Sequence, residues 1–282
     1  MFIRVEPVGA PFSKRNAILL RALGIKHFMG SNKDTQVVVM AGGEAKRLGM
    51  NMPKALVKLG ETTLIDRLVE FYRKNGINDF TFVLAHGDKE VTKHIEQNGW
   101  NGINSNIVYD YEKGIGNGKA FKQALEEGKI DRSRRSIYVQ PDDIFLDPNI
   151  PSKVLEEHVR AVNSLGVVAS DIVEKAHQYP FGVDTTDEKG LVIKFEEKPL
   201  VPLLTSTGMR IFEPAAYEYF IKLIDLKKPG NVGFEYAILP RLAEERKIYA
   251  IVIPQNSWVT MNTQKDLDQL KRMIEEGKLP SS

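Results

Sequence analysis

The sequence predicts an α/β protein: a Rossmann-like, doubly wound, mostly parallel sheet carrying a small mixed α+β annex. Three observations predict it. Val37-Val38-Val39-Met40 is an unbroken apolar run with three β-branched residues, as expected of a strand buried on both faces of a parallel sheet. From Gln36 onward such runs alternate with helical stripes, the pattern of βαβ units. Beyond Val167 that alternation gives way to hairpin-like strand pairs, which suit an annex built on the same sheet.

Residues 1–35 precede the first strand and read as an N-terminal extension. Ser13 is placed to cap a short helix carrying Ala17, Leu19, Leu20 and Leu23, ended by Gly24; a subunit contact, a packed lid and a mobile arm are the alternatives. Residues 36–282 read as one continuous domain, without repeat, low-complexity segment or linker. Thr62/Thr63 cap a predicted helix whose Leu64, Ile65, Leu68, Val69 and Tyr72 form one stripe ending at Gly76. Phe80 to Ala85 reads as a strand, Lys89 to Gln97 as a helix and Asn106 to Tyr109 as a third strand. Gly114-Ile115-Gly116-Asn117-Gly118 leads into a helix over Lys119 to Glu126. Ser136 to Val139 makes a fourth strand that runs into Gln140-Pro141-Asp142-Asp143. A helix near Lys153 to Asn163 and a strand near Val167 to Ile172 follow. Next come a hairpin over Gly182 to Asp184 and Leu191 to Phe195, and a strand over Met209 to Phe212. Helices near Ala215 to Ile224 and Tyr236 to Glu245, a strand Ile248 to Ile253 and a helix Lys265 to Glu275 complete the chain.

Composition narrows the function classes. With 282 residues, 42% of them hydrophobic, the chain is long enough for one large core, and no apolar run approaches the roughly 20 residues of a membrane span. A formal charge of +2 gives no case for nucleic-acid binding; the first 35 residues carry +4 and the remainder −2. The absence of cysteine excludes disulfides, thiolate metal sites and thiol nucleophiles, and suits a reducing compartment. His27, His86, His94, His158 and His177 show neither metal-ligand nor triad spacing. The expectation is a soluble, cytoplasmic protein.

Chemistry concentrates where strands end. Gly42-Gly43 removes the Cβ atoms that would hold an anion away from peptide N–H groups; Arg47 then offers a planar fork of donors and Lys54 a mobile ammonium. On these residues alone a turn and a triphosphate cradle are both open. The stretch is neither a Walker loop nor Gly-x-Gly-x-x-Gly. Asp142-Asp143, after a strand, is either a turn or a pair of carboxylates for Mg²⁺, which takes one or two carboxylates plus phosphate and water. Gly114 and Gly116 lack the third glycine and the distal acid of a dinucleotide fold.

Ala41-Gly42-Gly43, then Arg47-Leu48, then Pro53-Lys54 resembles the signature of the sugar-1-phosphate nucleotidyltransferases, the NDP-sugar pyrophosphorylases. That family usually reads Gly-x-Gly-Thr-Arg where this chain has Gly43-Glu44-Ala45-Lys46-Arg47. The resemblance extends over about residues 36–270. Val139 to Phe145 is similar to the family's Gly-Asp-Asn-Ile-Phe, which implies Asp142 as a metal ligand. Tyr179-Pro180-Phe181-Gly182-Val183, Glu197-Lys198-Pro199 and Ser206-Thr207-Gly208 are similar to its Tyr-Gly-Val, Glu-Lys-Pro and small-residue pair. The resemblance therefore implies Gly182, Glu197 and Thr207 for the sugar and Lys198 for its phosphate. Trp258 to Leu267 is similar to the C-terminal metal segment, whose ligand position falls on Thr260 or, as in relatives reading Val-Asn-Asn, on Asn262; Asn262 is favoured because an amide oxygen coordinates Mg²⁺. Gly116 and Tyr111 occupy the turn and the preceding Gln position that read the base.

The implied activity is Mg²⁺-dependent transfer of a nucleoside monophosphate from an NTP to a sugar 1-phosphate, releasing pyrophosphate. Ala41, Gly42 and Gly43 would cradle the nucleotide, Arg47 its β- and γ-phosphates, and Lys54 the α-phosphate and acceptor phosphate. The expected partners are these two small molecules, with a homo-oligomer left open. Three alternatives remain at this point: a non-sugar phosphate acceptor, a non-catalytic sugar-nucleotide-binding regulator, and a metal-dependent glycosyltransferase.

Overall fold

Val37, Val38 and Val39 are completely buried, and their side chains alternate between two cores, Val37 and Val39 on one side of the sheet and Val38 on the other. A strand sealed on both faces has no use for polar alternation, which is why its sequence is a plain apolar run. A computed structural model describes residues 34–279; the helix expected between Ser13 and Gly24 lies outside them.

In chain order, β1 (Thr35–Met40) is followed by the short strands β2 (Lys58–Leu59) and β3 (Thr62–Thr63), then α1 (Leu64–Lys74), β4 (Asp79–Leu84), α2 (Glu90–Asn98) and β5 (Asn104–Tyr109). Next come α3 (Asn117–Glu126), β6 (Arg135–Val139), β7 (Asp143–Phe145), α4 (Ile150–Leu165), β8 (Ala169–Gln178), β9 (Val183–Thr186), β10 (Val192–Glu196) and β11 (Leu200–Phe212). The chain continues through α5 (Pro214–Leu223), α6 (Phe234–Ala237), α7 (Leu239–Glu244), β12 (Ile248–Ile253), β13 (Trp258–Thr260) and α8 (Gln264–Glu275). Seven strands form one sheet in the order β12-β8-β11-β6-β1-β4-β5. All its pairings are parallel except those of β11, which runs against both β6 and β8. The carboxyl ends of β1, β4 and β6 thus share one edge, where open α/β sheets bind ligands.

The expected N-cap forms at Thr63 and is completed as a capping box: its hydroxyl accepts from the Asp66 N–H and the Asp66 carboxylate reaches back to the Thr63 N–H. The single helix expected over Tyr236 to Glu245 is instead two, α6 and α7, broken at Ile238 ahead of Pro240, whose missing N–H fits only a first turn. Met209 to Phe212 is the end of a longer strand. Beyond Glu174, β8 pairs only with the first half of β11, and these two strands with the β9–β10 hairpin form an arm projecting from the carboxyl edge. No helix among the described residues is long and apolar enough to cross a membrane.

Candidate active site

The glycine-rich loop is a closed structure rather than a free turn. Ala41 N–H donates to Val83 O (2.8 Å), Ala45 N–H to Met52 O (3.0 Å) and Lys54 N–H to Gly43 O (2.8 Å), so the two limbs hold each other. Ala45 and Leu48 are buried in a third apolar cluster that also takes in Ile144, Met261 and Leu267, anchoring the loop from below. Gly42 is required by space: a Cβ there would lie 2.9 Å from the Ala85 backbone nitrogen. Gly43 faces open space, as close approach of a ligand demands. Arg47 is exposed and carries no ion pair among the described residues, whereas Lys46 is paired with Glu44.

Lys54 leads from this loop to the metal candidates. Its Nζ donates to Asp142 Oδ2 (2.6 Å) and to Asn262 Oδ1 (3.1 Å), bringing together residues from three distant parts of the chain. The joint is a small antiparallel sheet of β7 and β13, with Thr260 opposite Asp143 and the Met261 N–H donating to Asp142 O (2.9 Å). Asn262 is oriented on both sides: its Nδ2 donates to Thr260 Oγ1 (3.1 Å) and its N–H to Asp266 Oδ2 (3.0 Å), leaving Oδ1 turned to Lys54. Thr260 thus supports Asn262. Asp143 plays a different part from Asp142. Its Oδ1 accepts from Trp258 Nε1 (2.9 Å), and burial, reinforced by the charge of Asp142, pushes its carboxyl up to about 8.

These residues open onto a cleft of about 940 Å³ at the carboxyl edge, lined among others by Ala41, Gly42, Gly43, Arg47, Lys54, Gly116, Asp142 and Asn262. Gly116 has φ +85°, and a Cβ there would overlap Asn231 Oδ1 and come within 2.8 Å of Val232 N. Tyr111 does not join them: it is 39% exposed on the rim, its hydroxyl donating to Leu226 O (2.8 Å) and its N–H to Gln123 Oε1 (3.2 Å).

The residues matched to the sugar site lie apart. Gly182, Glu197 and Lys198 sit together on the exposed arm, where a Cβ on Gly182 would lie 2.7 Å from the Phe195 ring and 3.1 Å from Glu197 Oε2. Lys198 Nζ stands 3.9 Å from Glu197 Oε1. Thr207 is buried, its hydroxyl donating to Ile172 O (2.9 Å) within the β8–β11 ladder. None of the four lines the cleft.

Several residues in the cleft wall and behind it escaped the sequence reading. Asn117 donates to Tyr138 OH (3.1 Å) and Glu235 Oε1 (2.9 Å). Asp110 has one buried carboxylate oxygen without a partner; burial, partly opposed by His86, pushes it up to about 6. Lys119 and Lys122 are buried on α3. Lys122 donates to the carbonyls of Ile221 (2.8 Å) and Ile224 (2.7 Å), and Lys119 to those of Gly230 (2.9 Å) and Lys228, so the loop bearing Asn231 is held against Gly116. Two lysines three apart beside Ala120 and Phe121 were the available signal.

Oxygen donors from one carboxylate and one amide, already bridging a cation in the form of the Lys54 ammonium, suit a hard divalent metal that completes its shell with phosphate and water. Among the described residues no group of three or more His, Cys, Asp or Glu could hold a metal by itself.

The Nucleotidyl transferase family model matches residues 36–276. Over 256 residues the chain is 20% identical to a probable glucose-1-phosphate cytidylyltransferase of Bacillus subtilis, covering 86% of this chain and 97% of that protein. It is 24% identical over 239 residues to the mannose-1-phosphate guanyltransferase of Candida albicans, covering 81% of this chain but 61% of that enzyme. Among solved structures, HddC from Yersinia pseudotuberculosis complexed with GMP-PN superposes with a TM-score of 0.60 at 18% identity, covering 85% of this chain and 99% of that one. At that identity the superposition speaks for the fold alone.

Proposed function

Because the chain belongs to the nucleotidyl transferase family, whose sugar-1-phosphate branch its relatives represent, we propose that it transfers a nucleoside monophosphate from an NTP to a sugar 1-phosphate, releasing pyrophosphate. The observation that carries this reading is the convergence of Lys54, Asp142 and Asn262 at the floor of a cleft whose entrance is Gly42-Gly43. We assign residues 36–282 to the transferase domain and 1–35 to an extension. The cysteine-free composition suits a cytoplasmic setting.

In this reading the Gly42-Gly43 backbone admits the triphosphate and Arg47 forks onto its β- and γ-phosphates. An oxygen of the acceptor's phosphate attacks the α-phosphorus in line; the new O–P bond forms as the bond to the β-phosphate oxygen breaks, and the electron pair leaves with pyrophosphate. No covalent enzyme intermediate is needed, so catalysis is positioning and charge neutralisation. Lys54 exchanges its carboxylate partner for the α-phosphate and the incoming phosphate. Asp142 Oδ2 and Asn262 Oδ1 would hold Mg²⁺, which when bound neutralises charge on the α-phosphate and the attacking phosphate. Gly116 reads the base through its backbone, while Glu197 and Lys198 take the sugar hydroxyls and its phosphate. The arm that bears them would close toward the cleft when the acceptor binds.

The test is pyrophosphate release with Mg²⁺, scanning NTPs against sugar 1-phosphates and non-sugar phosphates, with Asp142→Asn as control. Release that needs one NTP and one sugar phosphate together, lost in Asp142→Asn, supports the assignment. Release with a non-sugar acceptor would move the substrate class, and nucleotide binding without release from any pair would overturn catalysis.

A further inference from the structure

The turn between β6 and β7 has a cavity on each side. Asp142 lines the cleft, whereas Asp143, one residue on, lines a second and smaller cavity of about 120 Å³ beneath α1, and Gln140 and Pro141 border both. The backbone that presents the metal candidate to the cleft is therefore also a wall of this second cavity. The other walls are apolar. Leu68, Ile144 and Leu279 are buried there, Met209 is completely buried, and Phe71 lies nearly parallel to Phe145 with ring centres 6.2 Å apart. Lys74 is exposed and Glu70 half-buried at the rim, so the cavity reaches solvent beside α1.

One polar group in these walls is unused. Tyr72 lines the cavity with 1% of its surface exposed, and its hydroxyl is buried without a hydrogen-bond partner among the described residues. Burial, reinforced by the Asp143 charge, holds its proton well above the ordinary phenol range, so the hydroxyl stays a donor. A buried donor left unmade is destabilising, and a phenylalanine would fill the same space beside Phe71 and Phe80 without that cost. The packing of α1 accounts for the ring of Tyr72 but not for its oxygen.

We propose that this cavity is a ligand site for a small, neutral, single-ring aromatic molecule whose one polar atom accepts a hydrogen bond from Tyr72. Size sets the ring count, since an apolar cavity of ~150 Å³ holds benzene. The walls set the charge: an ionised ligand would lose its hydration against hydrocarbon, and an anion would also meet Asp143. The rings of Phe71, Tyr72 and Phe145 favour an aromatic occupant over an aliphatic one. An occupant would bear on Gln140 and Pro141, and through them on the placement of Asp142, so it would act on transfer without competing for the NTP. That consequence, unlike the binding, rests on the proposed function.

Phenol and toluene, titrated against the full chain labelled with ¹³C at its methionine methyl groups, test the binding without reference to activity. Met209 stands in the wall of this cavity while Met40 and Met52 line the cleft, so the methyl that shifts reports where a ring binds. Phenol is expected to shift the Met209 methyl saturably at millimolar concentration and to leave Met40 and Met52 in place. Tyr72→Phe should weaken phenol about fivefold, the worth of one hydrogen bond, and leave toluene unchanged. The same variant should melt no lower than the wild type, because it removes an unpaired group. No shift at Met209, shifts at Met40 or Met52 alone, or phenol affinity unchanged in Tyr72→Phe would each overturn the proposal. So would an equal loss for both probes, which would place the effect in packing, or a clear fall in Tm, which would show that the hydroxyl is already bonded.

Discussion

Replacing Lys54 by Met removes an ammonium while keeping an unbranched side chain of similar length. Its Nζ stands 2.6 Å from Asp142 Oδ2, and the two side chains are 16% and 12% exposed. At an effective dielectric of ~20, unit charges this close attract by roughly 6 kcal/mol before desolvation is subtracted. Breaking a fully buried pair costs ~3–5 kcal/mol because the remaining charge is stranded. Residual exposure screens part of that, so about 2–3 kcal/mol is expected, a fall in Tm of roughly 4–12 °C for a domain of this size. Turnover should fall about 10²-fold or more, as for loss of one preorganised charge at a reacting centre. The same geometry predicts an opposite effect on metal. If Asp142 holds the divalent cation as proposed, that cation would have to displace Lys54 in the wild-type chain, so Mg²⁺ alone should raise the Tm of Lys54→Met more than that of the wild type. Pyrophosphate release and thermal melts with and without Mg²⁺ read both effects. Undiminished turnover would refute the catalytic role, and an equal or smaller Mg²⁺ response would refute the shared site.

Other perturbations separate the remaining residues. Gly116→Ala should lower stability by about 1–3 kcal/mol, since it strains a φ of +85° and drives a methyl group into Asn231, and calorimetry should show weakened NTP binding. Asn262→Leu should raise the Mg²⁺ concentration for half-maximal pyrophosphate release at least about tenfold, whereas Thr260→Val, which removes only a support, should shift it less; the reverse order would place the ligand at Thr260. Asp110 keeps its proton to about pH 6 in the folded protein against 3.8 as the ordinary value, because it is buried. The folded state therefore binds more protons across that window, and wild-type stability declines as pH rises through it. Asp110→Asn removes the decline, so its Tm advantage should grow from about pH 4 to pH 6 and then level off; an advantage independent of pH would contradict this account.

What the sequence determined by itself is what local physics encodes. A short apolar run of mostly β-branched residues stopped by two glycines reads as a strand sealed on both faces, and β1 is that strand. Alternating stripes gave the parallel sheet, and the position of Asp142 after β6 followed from chain order. Tertiary structure decided the rest, wherever residues distant in sequence had to be set in register. The relation between Thr260 and Asn262 rests on β13 pairing with β7, more than a hundred residues away, with the Asn262 amide oxygen turned to Lys54 and its amide nitrogen bonded to the threonine. Lys119 and Lys122 look like solvated helix residues until the carbonyls of the 221–230 segment fold over them. Thr207 sits in a matching motif, yet its hydroxyl is committed to the β8–β11 ladder. Tyr111 stands at the expected spacing, yet its hydroxyl bonds to a loop carbonyl on the rim. Periodicity fixes which face a residue takes, but what that face meets depends on strand register and loop path, and those are set by the whole sheet.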